Sequence, residues 1–138
     1  MRLVVPGDPV PQGSMRVFPG GGMVHSNKAK VMGFRSDVAT EWEKGKSPIR
    51  KDYVTLVITF AFHRPASHYL PANSKRPEPV LRLDAPTSHT KPPDLDKLIR
   101  AVLDALTGRA YDDDAQVIDI VAMKVWSRDG STTIEVRP

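Results

Sequence analysis

Residues 94–117 read DLDKLIRAVLDALTGRAYDDDAQV, and their pattern decides the fold. Leu95, Leu98, Ile99, Val102, Leu103 and Leu106 recur every three or four positions. That spacing makes one broad apolar stripe and predicts an amphipathic helix over Asp94–Leu106. Pro93 stands just before it, which makes Asp94 the expected N-cap and puts Asp96 in the first turn. Thr107-Gly108 supplies the stop, glycine being the usual residue past a helix end. After the acidic turn Tyr111–Asp114, the period changes to two, and Gln116–Trp126 reads as a strand.

Outward from this unit, Tyr53–Phe62 is the clearest strand, with Val54, Leu56, Ile58, Phe60 and Phe62 on one face. Asp129-Gly130 predicts a hairpin turn into a last strand, Thr132–Val136. At the other end, Arg2–Val5 reads as a strand that runs into the turn-rich PGDPVPQGS. A second strand is expected at Met15–Phe18, and Gly20-Gly21-Gly22 as a tight reversal. Val31, Phe34, Val38 and Trp42 predict a helix over Asn27–Lys44, capped by Ser26 or Asn27, with Trp42 in the core. Trp126 is expected in the core or packed at an edge. Between the second helix and the strand before it, residues 63–93 hold seven prolines and no periodicity. A structureless connection of that length is uncommon in a compact domain unless it has a function. The fold class is therefore α+β: a small mixed sheet with two main helices, residues 1–138 forming a single domain.

Composition narrows the chemistry. The 138 residues contain no cysteine, which excludes disulfides, thiolate metal sites and cysteine nucleophiles. No apolar run is long enough for a membrane span, and the N-terminus does not read as a signal peptide, so a cytoplasmic address is expected. Net charge is +4, unevenly spread: residues 1–93 carry 14 basic and 7 acidic side chains, residues 94–138 carry 6 and 9. A basic surface beside an acidic cluster suits a polyanion bound next to a metal site. His63, His68 and His89 lack zinc-site spacing and read as loop or nucleic-acid contacts. No phosphate-loop or nucleophile-elbow motif is present.

The acids of the last third concentrate in two places: Asp94 and Asp96 where a loop becomes a helix, and Asp112–Asp114 where a turn becomes a strand. An antiparallel return between these elements could bring both groups to one end of the fold. Carboxylates are hard oxygen ligands of the kind Mg²⁺ takes together with water and substrate phosphate. Asp94 and Asp96 together with the Asp112–Asp114 group are the candidate metal ligands, and Mn²⁺ could replace Mg²⁺. The structural alternative is that Asp94 and Asp96 cap a helix and Asp112–Asp114 form a solvated turn. Arg100 either forms i,i+4 pairs with Asp96 and Asp104 or points at a phosphate, with Lys97 as its neighbour. Lys91, Lys97, Arg16, Arg64 and Arg76 are the candidate contacts to a nucleic-acid backbone.

The run Lys91–Val117, with PDLDKL, DAL and DDAQV, strongly resembles the signature of RusA-type Holliday-junction resolvases, and PGDPVPQGSMRVF is similar to that family's opening. The resemblance implies a homodimeric α+β endonuclease that uses Mg²⁺ to cut four-way branched DNA in two symmetric nicks. It places the family's essential acids on Asp94, Asp96 and Asp114, with Asp113 as a further acid beside the site. A catalytic lysine of the family falls on Arg100, a departure. Arginine keeps the charge and can brace a phosphate bidentately, but it does not readily donate a proton; the role is then electrostatic, or Lys97 takes it. Gln12 stands where many members carry a basic residue, and Arg16 could compensate. No membrane or small-molecule cofactor is expected. Two rival readings share these residues: a non-catalytic module that binds junctions or DNA, and a nuclease that cuts flaps and forks more broadly.

Overall fold

A computed structural model describes residues 1–13, 15–17, 23–25 and 28–138, the side chains of 15–17 and 23–25 excepted. The glycine reversal at 20–22 and the cap at Ser26 or Asn27 lie outside the described residues. In chain order the elements are β1 (Arg2–Pro6), β2 (Met15–Val17), β3 (Met23–His25), α1 (Lys28–Lys44), β4 (Val54–His63), β5 (Tyr69–Leu70), β6 (Val80–Leu81), α2 (Leu95–Leu106), β7 (Val117–Ser127) and β8 (Ser131–Arg137). The α+β class, the mixed sheet and the two helices agree with the sequence pattern.

β4 alternates most strictly, and it is an inner strand of the main sheet, whose order is β1-β8-β4-β7. Its apolar set, Val54 to Phe62 on even numbers, faces the helices and is buried. Leu3 and Val5 from β1 and Ile134 and Val136 from β8 extend the same face. Val38 and Trp42 of α1 and Leu98, Val102 and Leu106 of α2 cover it, and the two helices also pack on each other. Burying each such side chain stabilises the fold by roughly 1.5–3 kcal/mol, so this one layered core holds the elements together. Among the described residues no helix is long and apolar enough to cross a membrane.

The expected hairpin at Asp129-Gly130 does not form. β7 pairs with β4 in parallel and β8 pairs with β4 antiparallel, so β4 lies between them. Residues 128–130 carry the chain across the end of β4, and the turn packs against the N-terminal loop. Gly130 accepts a hydrogen bond from the Gly7 amide at 3.0 Å, and a Cβ on it would lie 2.7 Å from the Asp8 nitrogen. The glycine is there for close approach, which a Cβ would block. Asp8 in turn accepts from the His63 amide at 2.9 Å and caps the end of β4.

Residues 63–93 are also more ordered than their composition suggests. A short 3-10 turn at Ala66–His68 leads into the β5–β6 pair. Thr87–His89 then lies antiparallel along the outer edge of β7, with the Trp126 amide donating to Thr87 and the His89 amide to Lys124. His89 stacks on Trp126 with ring centroids 3.9 Å apart, and His68 meets the same indole edge-on at 5.1 Å. Proline richness here accompanies docking on the sheet edge.

Candidate active site

The start of α2 is built from its flanking prolines. Asp94 has φ −70° and ψ 141°, the extended backbone of an N-cap, and Asp96 lies in the first turn. Yet the Asp94 carboxylate accepts no capping hydrogen bond. Both side chains are exposed and form no hydrogen bond or ion pair among the described residues. An N-cap aspartate ordinarily satisfies the N–H of the second or third helical residue. Here the geometry of a cap is present without its bond, which leaves two hard-oxygen groups facing solvent a few residues apart.

The acidic turn is organised differently. Gln116 accepts from the amides of Asp112 and Asp113 at 2.8 and 3.0 Å, and its amide group donates to the carbonyls of Arg50 and Asp52 at 3.1 and 2.7 Å. Asp113 caps the following 3-10 turn by accepting from the Ala115 amide at 2.9 Å. Asp112 pairs with Lys51 at 2.8 Å. Beneath them Tyr111 is fully buried and donates to the Leu103 carbonyl at 3.3 Å; burial pushes its phenol far up. This plug fixes the turn against the end of α2.

Asp114 leaves the turn toward the middle of α2, where Arg100 donates to it at 2.8 Å. That bond holds the Asp114 carboxyl below the usual aspartate range. Arg100 also reaches Asp104 at 3.6 Å, Asp104 pairs with Arg35 of α1 at 2.7 Å, and Arg35 donates to Gln12 at 2.6 Å. A chain of alternating charge thus runs from the N-terminal loop to the acidic turn. Arg100 makes its i,i+4 contact with Asp104 and pairs with Asp114 instead of Asp96.

The remaining basic candidates divide. Lys91 is exposed at the end of the strap along β7. Lys97 is half-buried, and its carbonyl accepts from the Gln12 amide at 3.0 Å. Arg76 donates to the Pro71 carbonyl at 3.0 Å and shapes the turn between β5 and β6. Arg64 is 9% exposed, and its guanidinium donates to the Pro86 carbonyl at 2.6 Å. In the free protein this bond braces the strap. The side chain of Arg16 is outside the described residues.

Among the described residues no three acidic or histidine side chains are gathered closely enough to hold one ion. Magnesium asks less of a protein, since one or two carboxylates with water and substrate phosphate complete its octahedron. The Asp94–Asp96 pair fits that requirement in donor type, and neither carboxylate is bonded among the described residues, whereas Asp114 is held by Arg100 and is not gathered with them.

A family model described as Endodeoxyribonuclease RusA matches residues 6–137. The chain belongs to the RusA endodeoxyribonuclease family. In Bacillus subtilis (strain 168), a protein named "Uncharacterized protein YqaN" is 28% identical over 153 aligned positions, which span 99% of this chain and 95% of that one. The RusA match supports a nuclease and runs through both α2 and the acidic turn. Two groups of the site were missing from the sequence reading. Gln116 was legible only as part of DDAQV, because its four bonds join segments 50–52 and 112–116. Lys124 looks like any polar residue of an alternating strand, and nothing local signals its contacts.

Proposed function

We propose that this RusA-family endonuclease resolves four-way DNA junctions as a homodimer, by two symmetric nicks that depend on Mg²⁺, with Mn²⁺ able to substitute. The observation that carries the reading is the pair of carboxylates at the start of α2, Asp94 at the N-cap and Asp96 in the first turn: both exposed, with Asp94 not making the bond that a cap ordinarily makes. Asp94 and Asp96, joined by Asp114, would hold the metal, which when bound supplies charge neutralisation and water activation at the phosphodiester. Arg100 is the group to meet the scissile phosphate. Its planar fork binds a phosphate oxygen pair as readily as a carboxylate, so substrate can take it from Asp114. Its contribution is electrostatic and includes no proton transfer. Lys91, Lys97, Arg76 and Arg16 would contact flanking phosphates, which makes affinity fall with salt. A two-fold protein matches the two-fold symmetry of a junction, and closed symmetric dimers are the commonest assemblies.

One observation favours the rival reading as a binding module: Asp114 and Arg100 satisfy each other as they stand. Cleavage of a labelled immobile junction, a matched linear duplex, a flap and a fork decides between them, with Mg²⁺ or EDTA, for wild type and Asp96→Asn. Paired nicks in the junction only, with metal only and in wild type only, are the expected result. Junction binding by a folded protein that cuts nothing in Mg²⁺ or Mn²⁺ overturns the enzyme reading. Equal cutting of flaps and forks replaces junction resolution by the broader nuclease.

A further inference from the structure

The end of the segment that delivers Asp94 to α2 is gripped by the side chain of Lys124. Along the outer edge of β7 the strap makes ordinary ladder contacts as far as His89, whose amide donates to the Lys124 carbonyl at 3.2 Å. Beyond that point the ladder cannot continue, because Pro92 and Pro93 have no N–H to donate. The two prolines offer carbonyls alone. Lys124 answers with its ammonium, which donates to the Lys91 and Pro93 carbonyls, both at 2.6 Å. The Lys91 amide meanwhile donates to His89 Nδ1 at 3.3 Å, so the last turn of the strap is fastened to itself as well.

We propose that Lys124 is a positioning residue for the metal site: by gripping the carbonyls of Lys91 and Pro93 it fixes the backbone from which Asp94 projects. The inference rests on Asp94 being a metal ligand. The Pro93 carbonyl lies in the peptide that leads directly into Asp94, so its two dihedrals to the carboxylate start from a clamped point. The alternatives for a strand lysine, a solvated charge or a phosphate contact, do not suit an ammonium already bonded twice to its own chain. Loss of the clamp leaves α2 in place, since Leu98, Val102 and Leu106 hold that helix independently. It frees the orientation of one carboxylate.

The test is Mn²⁺ binding in the absence of DNA, read as the free-ion paramagnetic resonance signal, for wild type, Lys124→Met, Lys124→Arg and Asp94→Asn. Lys124→Met should weaken Mn²⁺ about 10–100-fold, the usual effect of removing a group that orients a ligand. Lys124→Arg, which keeps donors for both carbonyls, should recover most of that loss. Junction affinity in EDTA should stay at the wild-type level. In cleavage assays Lys124→Met should need more Mn²⁺ for half-maximal rate and reach the wild-type rate at saturation. Unchanged Mn²⁺ affinity in Lys124→Met, with weakened binding in Asp94→Asn, overturns the positioning role alone. Unchanged affinity in Asp94→Asn overturns the site reading and the proposal with it.

Discussion

Two acidic regions of this chain look alike in sequence and differ in what their polar groups do. At 112–116 the bonds are internal: Gln116 joins two segments, Asp113 caps a turn, Asp112 pairs with Lys51, and Asp114 pairs with Arg100. At 94–96 the backbone is shaped with equal care, and the carboxylates have no partner among the described residues. The difference separates acids that build a surface from acids that a surface presents. A solvated carboxylate that accepts no available N–H bond forgoes about 1 kcal/mol of capping stability. That loss makes sense where the oxygens have another use.

The sharpest break in the comparison is Asp96→Asn. It should lower Mg²⁺-dependent cleavage by more than about 100-fold, beyond the range for groups outside the first coordination sphere. Its melting temperature should match wild type, because no intramolecular bond is lost. A clear drop in melting temperature would move Asp96 to the structural side. Gln116→Ala is the converse. It removes four hydrogen bonds from a half-buried position and should cost roughly 1–3 kcal/mol in urea unfolding, since it strands the Arg50 and Asp52 carbonyls and two amides. Cleavage by the folded fraction should fall less than in Asp96→Asn.

A smaller effect comes from His89, through which the strap rests on Trp126. Burial, and next the charge of Lys124, lower its pKa, against an opposing pull from Asp8. Its ring nitrogen accepts from the Lys91 amide, so the neutral form is the one that fits. A histidine whose folded pKa is depressed contributes stability that is fully present above its unfolded pKa of about 6.5 and is lost as pH falls through the folded value. Wild type should therefore lose stability as pH falls below about 6.5, before most carboxylates titrate. His89→Phe, which keeps an aromatic ring against Trp126, should show a flatter profile over that interval. Identical profiles would mean that His89 does not titrate in the strap.

The legible parts of the molecule were those with a period. β4 and α2 could be placed because side chains at spacing two or 3.6 face one core, and the bounds read from sequence differ from the observed ones by a residue. Pairing was not legible. Asp129-Gly130 marks a reversal wherever it occurs, and nothing within five residues says that β4 would lie between the strands it joins. The same holds for the site. Pro93 places Asp94 at a cap, but the absence of the capping bond is a property of three dimensions. The cation partners were hardest to assign, because an arginine or lysine reads as surface until the carbonyls near it are known.

Arg64 and Lys91 put that last point in measurable form. Both are basic, both belong to the same proline-rich segment, and sequence alone gives them equal claims on a phosphate. Arg64 is buried on the Pro86 carbonyl, whereas Lys91 is exposed and precedes Asp94 in the chain. Lys91→Ala should weaken junction binding evenly across sequences and reduce the slope of log affinity against log salt by about 1, as for one lost phosphate contact. Arg64→Met should leave that slope unchanged and act on stability, through the stranded Pro86 carbonyl. Equal slopes for the two variants would mean that the strap opens on DNA and releases Arg64. In that event burial in the free protein would be a poor guide to which cations the bound complex uses, and the distinction between building and presenting residues would hold only before substrate arrives.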